Sequence, residues 1–472
     1  MMTTVFRWVR LRTCPWSPLI CTGCAAASQS ARSRTLSSTV SSPISNENEQ
    51  LRITNKDFPE RVTVCEKTYE TDDWTNLTKK IQHLTTRNLL HQRLNPLHLL
   101  RKRIEQFFYA NYRQRQRGKG RSPLFSVHDN ISPVVTLWEN FDSLLTPLDH
   151  VSRSKSDTYY VNKEHLLRAH TSAHQHALIS SGRDQFLVFG DCYRRDAVDR
   201  THFPAFHQVE GVWLFTREEL FHPNWDDKSL QLFEPNALGR RPTDRQEWHT
   251  IDAANMVQFH LKQCLEDLAR YLFHSDIELR WVDCYFPFTH PSWEMEVKHD
   301  GNWMETLGCG VIEQKLLQSA GAGHKVGWAF GIGLERLAMK LYDIPDIRLF
   351  WSEDTGFLNQ FKTDNINAQI KYKPISRHPQ CINDLSFWLP ESSGTSGYSE
   401  TDFYDLVRSE GGDVVEQVEL IDNFTHPKTG RRSHCYRIVY RHMEHALTQQ
   451  QANEIHGRIT SAVTTQLGAE IR

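Results

Sequence analysis

From Gly190 to Glu210 the chain reads GDCYRRDAVDRTHFPAFHQVE, two apolar-alternating runs around a charged loop, the pattern of a β-hairpin. Tyr193-Arg194-Arg195-Asp196 closes the first run, and His202, Phe206 and Glu210 follow at four-residue intervals. An arginine fork meets a phosphate through paired charge-assisted hydrogen bonds, and an aromatic ring offers a π-face to a base. That combination suits a nucleotide. Taken alone, Tyr-Arg-Arg-Asp fits equally well a charged surface hairpin with Arg–Asp pairs, which contribute little.

Other stretches carry chemistry of their own. Residues 166–175, LLRAHTSAHQ, end a strand in small polar side chains before a helix. Such a cluster suits an ammonium or a carboxylate, although Thr171 or Ser172 as a helix cap explains it too. In Phe286-Pro287-Phe288-Thr289-His290-Pro291-Ser292, two phenylalanines at i and i+2 share a side of an extended chain, as sheet core or as a pocket wall. Glu305 stands on a strand that ends in Gly308-Cys309-Gly310, where small residues admit a ligand. Residues 327–336, GWAFGIGLER, run from a strand into a helix. A lone Gly-x-Gly is a weak dinucleotide signal, and no βαβ unit precedes it.

Together these stretches resemble the class II aminoacyl-tRNA synthetases. The hairpin is similar to motif 2 and Gly331-Ile332-Gly333-Leu334-Glu335-Arg336 to motif 3. His170-Thr171-Ser172 with Gln175, His207-Gln208-Val209-Glu210-Gly211 and Phe-Pro-Phe-Thr-x-Pro-Ser narrow the likeness to phenylalanyl-tRNA synthetases, in their single-chain mitochondrial form. It spans about 95–472. The resemblance implies that Arg194 and Arg336 are catalytic, on the α- and γ-phosphates of ATP. It implies an ATP site of these two with His202, Phe203, Phe206 and Glu305, with Mg²⁺ on Glu305. Ser172, Gln175, Gln208 and Glu210 would hold the amino and carboxylate groups of phenylalanine, beside His170, Ala173, His174 and Val209. Phe286 and Phe288 would meet its ring edge to face. Ala329 and Phe330 would border that ring, the small Ala329 setting the space beyond the para position.

Elements must position these groups. Asn95-Pro96 reads as an N-cap with proline in the first turn, opening a helix with the stripe Leu97, Leu100, Ile104, Phe107 and Phe108. A second helix is expected over about 251–273, and a helical stretch over 73–90. Arg113, Arg115, Arg117, Lys119 and Arg121 lie in a loop that is either a solvated insertion or a contact to an RNA backbone. Ser132-Pro133-Val134-Val135 matches the dimer motif of the class loosely, so a monomer is expected.

The expected fold is α+β. A class II antiparallel sheet flanked by helices spans 95–360, after an extension over 41–94. A linker over 361–375 leads to a ferredoxin-like βαββαβ domain over 376–472. That tail resembles the ferredoxin-fold anticodon-binding domain of the same family. Acids outnumber Lys and Arg within it, so tRNA binding is expected at a local cluster, Lys428, Arg431, Arg432, Arg437 and Arg441, with Tyr436 or Phe424 for stacking.

Of 472 residues 39% are hydrophobic and 24% charged, with net charge −2, which excludes a generally polycationic nucleic-acid binder. No run of eighteen apolar residues occurs, so no membrane span is expected. Residues 1–46 contain no acid, while Arg7, Arg10, Arg12, Arg32 and Arg34 recur among serines. That composition is a mitochondrial transit peptide, placed at 1–40, and implies the matrix. The expected partners are tRNA(Phe), phenylalanine and ATP. Two other readings fit parts of the pattern: a synthetase-like RNA-binding protein without catalysis, and a ligase that aminoacylates something other than tRNA.

Overall fold

The structure is a computed structural model that describes residues 59–113, 122–221, 229–236, 241–374, 378–390 and 398–472. The transit peptide and most of the arginine-rich loop after Arg113 lie outside the described residues. Among the described residues no helix is long and apolar enough to cross a membrane.

A seven-stranded sheet lies at the centre. Its strands are β1 (Ser126–His128), β2 (Gln185–Tyr193), β3 (Ala205–Phe215), β4 (Leu279–Phe286), β5 (Thr289–His299), β6 (Asn302–Ile312) and β7 (Val326–Gly333). They lie in the order β1-β2-β3-β7-β6-β5-β4. All neighbours are antiparallel except β1 and β2, which run parallel. The edge strand therefore departs from the expected antiparallel pattern: β1 and β2 are joined by a long excursion, as a parallel pair requires.

One face of this sheet is covered by three helices, α1 (Pro96–Asn111), α2 (Ile251–Leu272) and α3 (Leu334–Tyr342). Asn95 caps α1, its side chain accepting from the Leu97 N–H at 3.0 Å. The stripe from Leu97 to Phe108 is buried throughout. Phe108 stacks on Phe330 of β7 at 5.9 Å, so the helix stripe and the apolar side of the sheet close on each other. A buried Leu or Phe contributes about 1.5–3 kcal/mol, which is why this stripe fixes the helix against the sheet.

The amino-terminal part is less helical than its sequence suggests. Arg61–Val64 and Lys67–Glu70 pair as a hairpin, and within 73–90 only Lys79–Leu84 forms an α-helix. The segment 362–374 is not a free linker. Ile366, Ile370 and Tyr372 pack on the main core, and the Tyr372 N–H donates to the Tyr342 carbonyl at 2.7 Å.

The carboxy-terminal domain follows the order β8 (Cys381–Trp388), α4 (Glu400–Gly411), β9 (Val415–Thr425), β10 (Arg432–Tyr440), α5 (Gln449–Gln466) and β11 (Glu470–Ile471). Its sheet order, β9-β10-β8-β11, is the ferredoxin-like one. Thr448 and Gln451 form the capping box of α5. Leu385, Phe387, Phe403, Tyr436 and Ile459 build a core separate from the first.

The two cores meet through charge. Asp405 of α4 accepts from Tyr159 Oη at 2.9 Å, from Arg195 Nε at 2.6 Å and from Arg408 Nη1 at 3.0 Å. Arg408 also donates to the carbonyls of Asp196 and Ala197. The Glu416 side chain, fully buried, receives Arg200, Arg348 and Arg441, which holds its carboxyl down at about 2 against the opposing effect of burial. All these partners on the catalytic side except Tyr159 and Arg348 belong to the charged loop after β2. Removing one member of such a buried charged network costs about 3–5 kcal/mol. Asp405→Ala is therefore expected to lower the unfolding midpoint in denaturant, read by far-UV circular dichroism. An unchanged midpoint would mean that the domains dock by other contacts.

Candidate active site

The sheet register decides which side chains face a ligand. Side chains alternate between faces along a strand, and cross-strand partners share a face. On β3, Gln208, Glu210 and Val212 stand opposite Gly333, Gly331 and Ala329 of β7. Gly308 and Gly310 of β6 continue the row opposite Gly331 and Ala329. The face away from the helices is thus paved with glycine and alanine, and Gln208 and Glu210 rise from it. A Cβ at Gly310 would lie 2.7 Å from the Thr289 hydroxyl, so this glycine is required for close packing.

A pocket opens on this floor, between Phe286, Phe288, Ser172, Thr289 and Ala329. Phe286 and Phe288 lie parallel, 5.9 Å apart and 12° from coplanar. They share the pocket because Pro287 and Phe288 form the turn between β4 and β5, not because an extended strand aligns them. His170 stacks on Phe288 at 6.4 Å.

The polar end of the pocket holds buried groups without protein partners. Both side-chain ends of Gln175 and the Gln208 amide nitrogen make no hydrogen bond within the protein, and the Glu210 carboxyl meets the hydroxyls of Ser172 and Thr171. Buried polar groups are nearly always paired, so a cluster of this kind marks a place prepared for a polar ligand. Burial raises the Glu210 carboxyl to about 8, with the nearby Ser172 and Thr171 hydroxyls acting against it. Burial, aided by Arg194, lowers His170 to about 3, which keeps it neutral beside the pocket.

Several expected residues face elsewhere. Val209 and Phe330 lie on the helix-covered face, by the same alternation that turns Glu210 and Ala329 inward, although Phe330 still borders the pocket. Ala173 packs with Val135, Phe141 and Tyr160 in a small core. Phe203 stacks on Trp351 at 5.2 Å, so its ring is part of the core and not a nucleotide surface. His174 accepts from Arg168 Nη1 at 2.8 Å, behind the site. Burial and this arginine lower it to about 3.

Beside the pocket the sheet carries charge in a row. The Arg194 guanidinium lies 5.1 Å from the Phe206 ring centroid, and its Nε donates to the Ala169 carbonyl at 3.0 Å. Arg336, in the first turn of α3, pairs with Glu305 at 3.5 Å across the open face. His202 Nδ1 lies 2.7 Å from Asp199, and this bond raises the imidazole while holding Asp199 at about 2 against burial.

Two positioning contacts carry no signal in sequence spacing. Glu335 accepts from the His207 backbone N–H at 2.8 Å and from His207 Nδ1 at 2.6 Å, both residues being buried. Arg168 binds Asp191 at 2.6 Å and lies where a Cβ on Gly190 would stand 2.2 Å away. It thereby fixes the turn that presents Thr171 and Ser172. Only the glycine at 190 hinted at such an approach.

In the tail, Lys428 is exposed in the turn between β9 and β10, and Arg432 is exposed beside it. Arg431 pairs with Glu470 at 2.6 Å. Arg437 is held bidentately by Asp384 at 2.8 and 2.9 Å, and Arg441 is taken by the interdomain Glu416. Tyr436 is buried in the domain core and offers no face to a base, whereas Phe424 stays partly exposed.

Comparison with known proteins agrees with this geometry. Residues 92–222 and 244–361 match the class II tRNA synthetase core domain (F), and 376–472 match the ferredoxin-fold anticodon-binding domain. The chain is 55% identical over 406 residues to the mitochondrial phenylalanine–tRNA ligase of Mus musculus, covering 86% of this chain and 88% of that one. The chain belongs to the phenylalanine–tRNA ligases of class II. It is 51% identical over 428 residues to a probable mitochondrial member from Drosophila melanogaster, covering 88% and 93%. To the mitochondrial ligase of Saccharomyces cerevisiae it is 37% identical over 458 residues, covering 86% and 93%. The α subunit from Aliivibrio fischeri strain MJ11 matches over 230 residues only, 48% of this chain, at 36% identity. The mitochondrial ligases thus match most of this chain, and the α subunit about half of it.

For Glu210 to pair with the ammonium of an amino acid, its carboxyl, raised by burial, must first ionise. Its raised value means that below about 8 a proton has to leave when the cationic amino acid binds. The apparent KM for the amino acid in ATP–pyrophosphate exchange is therefore expected to fall as pH rises towards about 8, and Glu210→Gln to flatten that slope. A wild-type KM independent of pH would refute this role for Glu210.

Proposed function

We propose that this chain charges mitochondrial tRNA(Phe) with phenylalanine, through a phenylalanyl-adenylate formed from ATP. The observation that carries the reading is the pocket: an aromatic slot on a glycine floor, closed at one end by the buried polar groups Gln175, Gln208 and Glu210, of which Gln175 and the Gln208 amide nitrogen have no protein partner. A phenylalanine with its ring between Phe286, Phe288 and Ala329 brings its ammonium to Glu210 and its carboxylate towards Arg194.

The nucleotide lies along the charged row. Phe206 supports the adenine, Arg194 takes the α-phosphate and Arg336 the γ-phosphate. The amino-acid carboxylate attacks the α-phosphorus in line and pyrophosphate departs. No side chain acts as nucleophile or base. Positioning and charge stabilisation do the chemistry. The terminal ribose hydroxyl of the tRNA then attacks the adenylate carbonyl and AMP leaves.

Glu305, with Glu296 opposite it in register, offers hard oxygen donors of the kind Mg²⁺ takes. Among the described residues no group of three His, Cys, Asp or Glu could hold a metal on its own. The fit is thus to an ion that shares its ligands with substrate phosphates. Mg²⁺ bound there would neutralise phosphate charge as the α-phosphorus is attacked. The presequence composition supports action in the mitochondrial matrix, and the loose dimer motif supports a monomer.

The reading without catalysis is not favoured, because Arg194, Glu305 and Arg336 face one open surface together. ATP–pyrophosphate exchange with each of the twenty amino acids tests the proposal. Exchange is expected to be strongest with phenylalanine and abolished by Arg336→Ala, whereas no exchange from folded protein would favour an RNA-binding role alone. Ala329→Val should lower kcat/KM for phenylalanine by about tenfold to a hundredfold, since overpacking a filled site costs about 1–3 kcal/mol. Tyrosine should be activated measurably, because an apolar pocket rejects an added hydroxyl by only about a hundredfold. Failure to detect tyrosine-dependent exchange at saturating tyrosine would show that the para position is guarded more strictly.

A further inference from the structure

Residues 241–250 lead into α2 and strap the turn that carries Phe288 and Thr289. The β5–β6 ladder breaks beside that turn: between the pairs Ser292–Gly310 and Thr289–Ile312, His290 and Pro291 of β5 stand against Val311 alone. A bulge of this kind leaves backbone groups without ladder partners, and Pro291 has no N–H to give. Gln246 fills the break. Its amide nitrogen donates to the His290 carbonyl at 3.0 Å and to the Ile312 carbonyl at 2.9 Å, and its oxygen accepts from the Gln314 N–H at 2.8 Å. A side-chain amide has two N–H donors and one oxygen, so both polar atoms of this buried residue are committed.

The strap extends the same hold to the other walls of the slot. His290 Nε2 donates to the Pro242 carbonyl at 2.8 Å, and Arg241 pairs with Glu313, whose N–H donates to the Phe288 carbonyl at 3.0 Å. The Gln314 amide donates to the Gly323 and Lys325 carbonyls at 3.0 and 3.1 Å, and its oxygen accepts from His249 Nε2 at 3.0 Å. Lys325 directly precedes β7, the strand of Ala329. The Phe288 turn, the end of β6 and the start of β7 are thus tied to one glutamine and its neighbours.

We propose that Gln246 is a positioning residue for the amino-acid site, holding Phe288 and Thr289 at the distance from Ala329 that a phenyl ring requires. The proposal rests on the tRNA-charging reading and adds to it a residue outside the pocket lining. The contacts of the strap fall on the aromatic end of the site, whereas Arg194, Phe206 and Arg336 stand on the charged row. Losing Gln246 therefore acts on amino-acid binding and not on ATP binding.

ATP–pyrophosphate exchange by the full chain provides the test, with phenylalanine titrated at saturating ATP and ATP at saturating phenylalanine. Gln246→Leu keeps the volume and removes all three bonds. Since a shift of about 1 Å at a binding group costs up to about a hundredfold, this variant is expected to raise the phenylalanine KM about tenfold or more while the ATP KM stays within about twofold. Its preference for phenylalanine over tyrosine should narrow, because a loosened slot admits the larger ring. Gln246→Asn, with the same groups one methylene short, should show a smaller rise and serves where the leucine variant does not fold. Gln258→Ala removes an exposed bond to the Asp244 carbonyl on the same strap and should leave both KM values unchanged. A merely structural role would lower the active fraction, and with it kcat, at constant KM. An unchanged phenylalanine KM in the folded Gln246 variants, or phenylalanine and ATP KM rising together, would overturn the proposal. Loss of folding in both variants would assign Gln246 to stability alone and overturn it as well. If the unaltered chain supports no phenylalanine-dependent exchange, the underlying reading fails instead.

Discussion

The catalytic face depends on the buried contact between Glu335 and His207. Glu335 opens the helix that carries Arg336, and His207 lies on the strand that carries Phe206, Gln208 and Glu210. One carboxylate takes the strand's backbone N–H and the imidazole N–H together, so helix and strand cannot slide independently. A buried carboxylate left without either donor is costly, which keeps the register tight. The consequence is that Arg336 and the pocket are held at a fixed offset before any substrate arrives, the preorganisation that the proposed in-line attack needs.

Face alternation does the rest of the sorting. Phe206, Gln208 and Glu210 face the ligand because Val209 faces the helices, and Ala329 and Gly331 face it because Trp328, Phe330 and Ile332 fill the core. The large residues needed for burial and the small ones needed for a binding floor come from the same strand at alternate positions. This economy explains why β7 tolerates two consecutive Gly-containing pairs: its stability comes from the Trp328, Phe330 and Ile332 side.

Much of this was legible in the sequence, and the misses have physical reasons. Motif spacing singled out Arg194, Phe206, Glu210, Glu305 and Arg336 as candidates, because each proposed role demands one residue type at one strand or helix position. Period-two reasoning could also have placed the side chains of Val209 and Phe330 on the helix-covered face, although Phe330 still lines the pocket. Phe203 was misleading because a ring next to a site serves the core as readily as the ligand, and Trp351, its partner, is far away in sequence. The Arg168–Asp191 and Glu335–His207 pairs join residues 23 and 128 positions apart. No local pattern announces such pairs. The hairpin over 61–70 was missed because four-residue strands barely develop an alternation.

The tail shows the same limit in its charges. Composition gave five candidate cations, and only the structure shows which are already committed. Arg437 and Arg441 are held by Asp384 and Glu416, as Arg431 is by Glu470, whereas Lys428 and Arg432 are exposed. The docked domain also grips the charged loop after β2 through Arg195, Asp196, Ala197 and Arg200. Arg194, directly before that segment, therefore takes its position partly from a domain that contributes no residue to the pocket. Removing residues 376–472 would leave Arg195 and Arg200 unpaired and Tyr159 uncovered. Truncation is for this reason not a clean way to separate adenylate formation from tRNA binding, and single substitutions at the exposed Lys428 and Arg432 are.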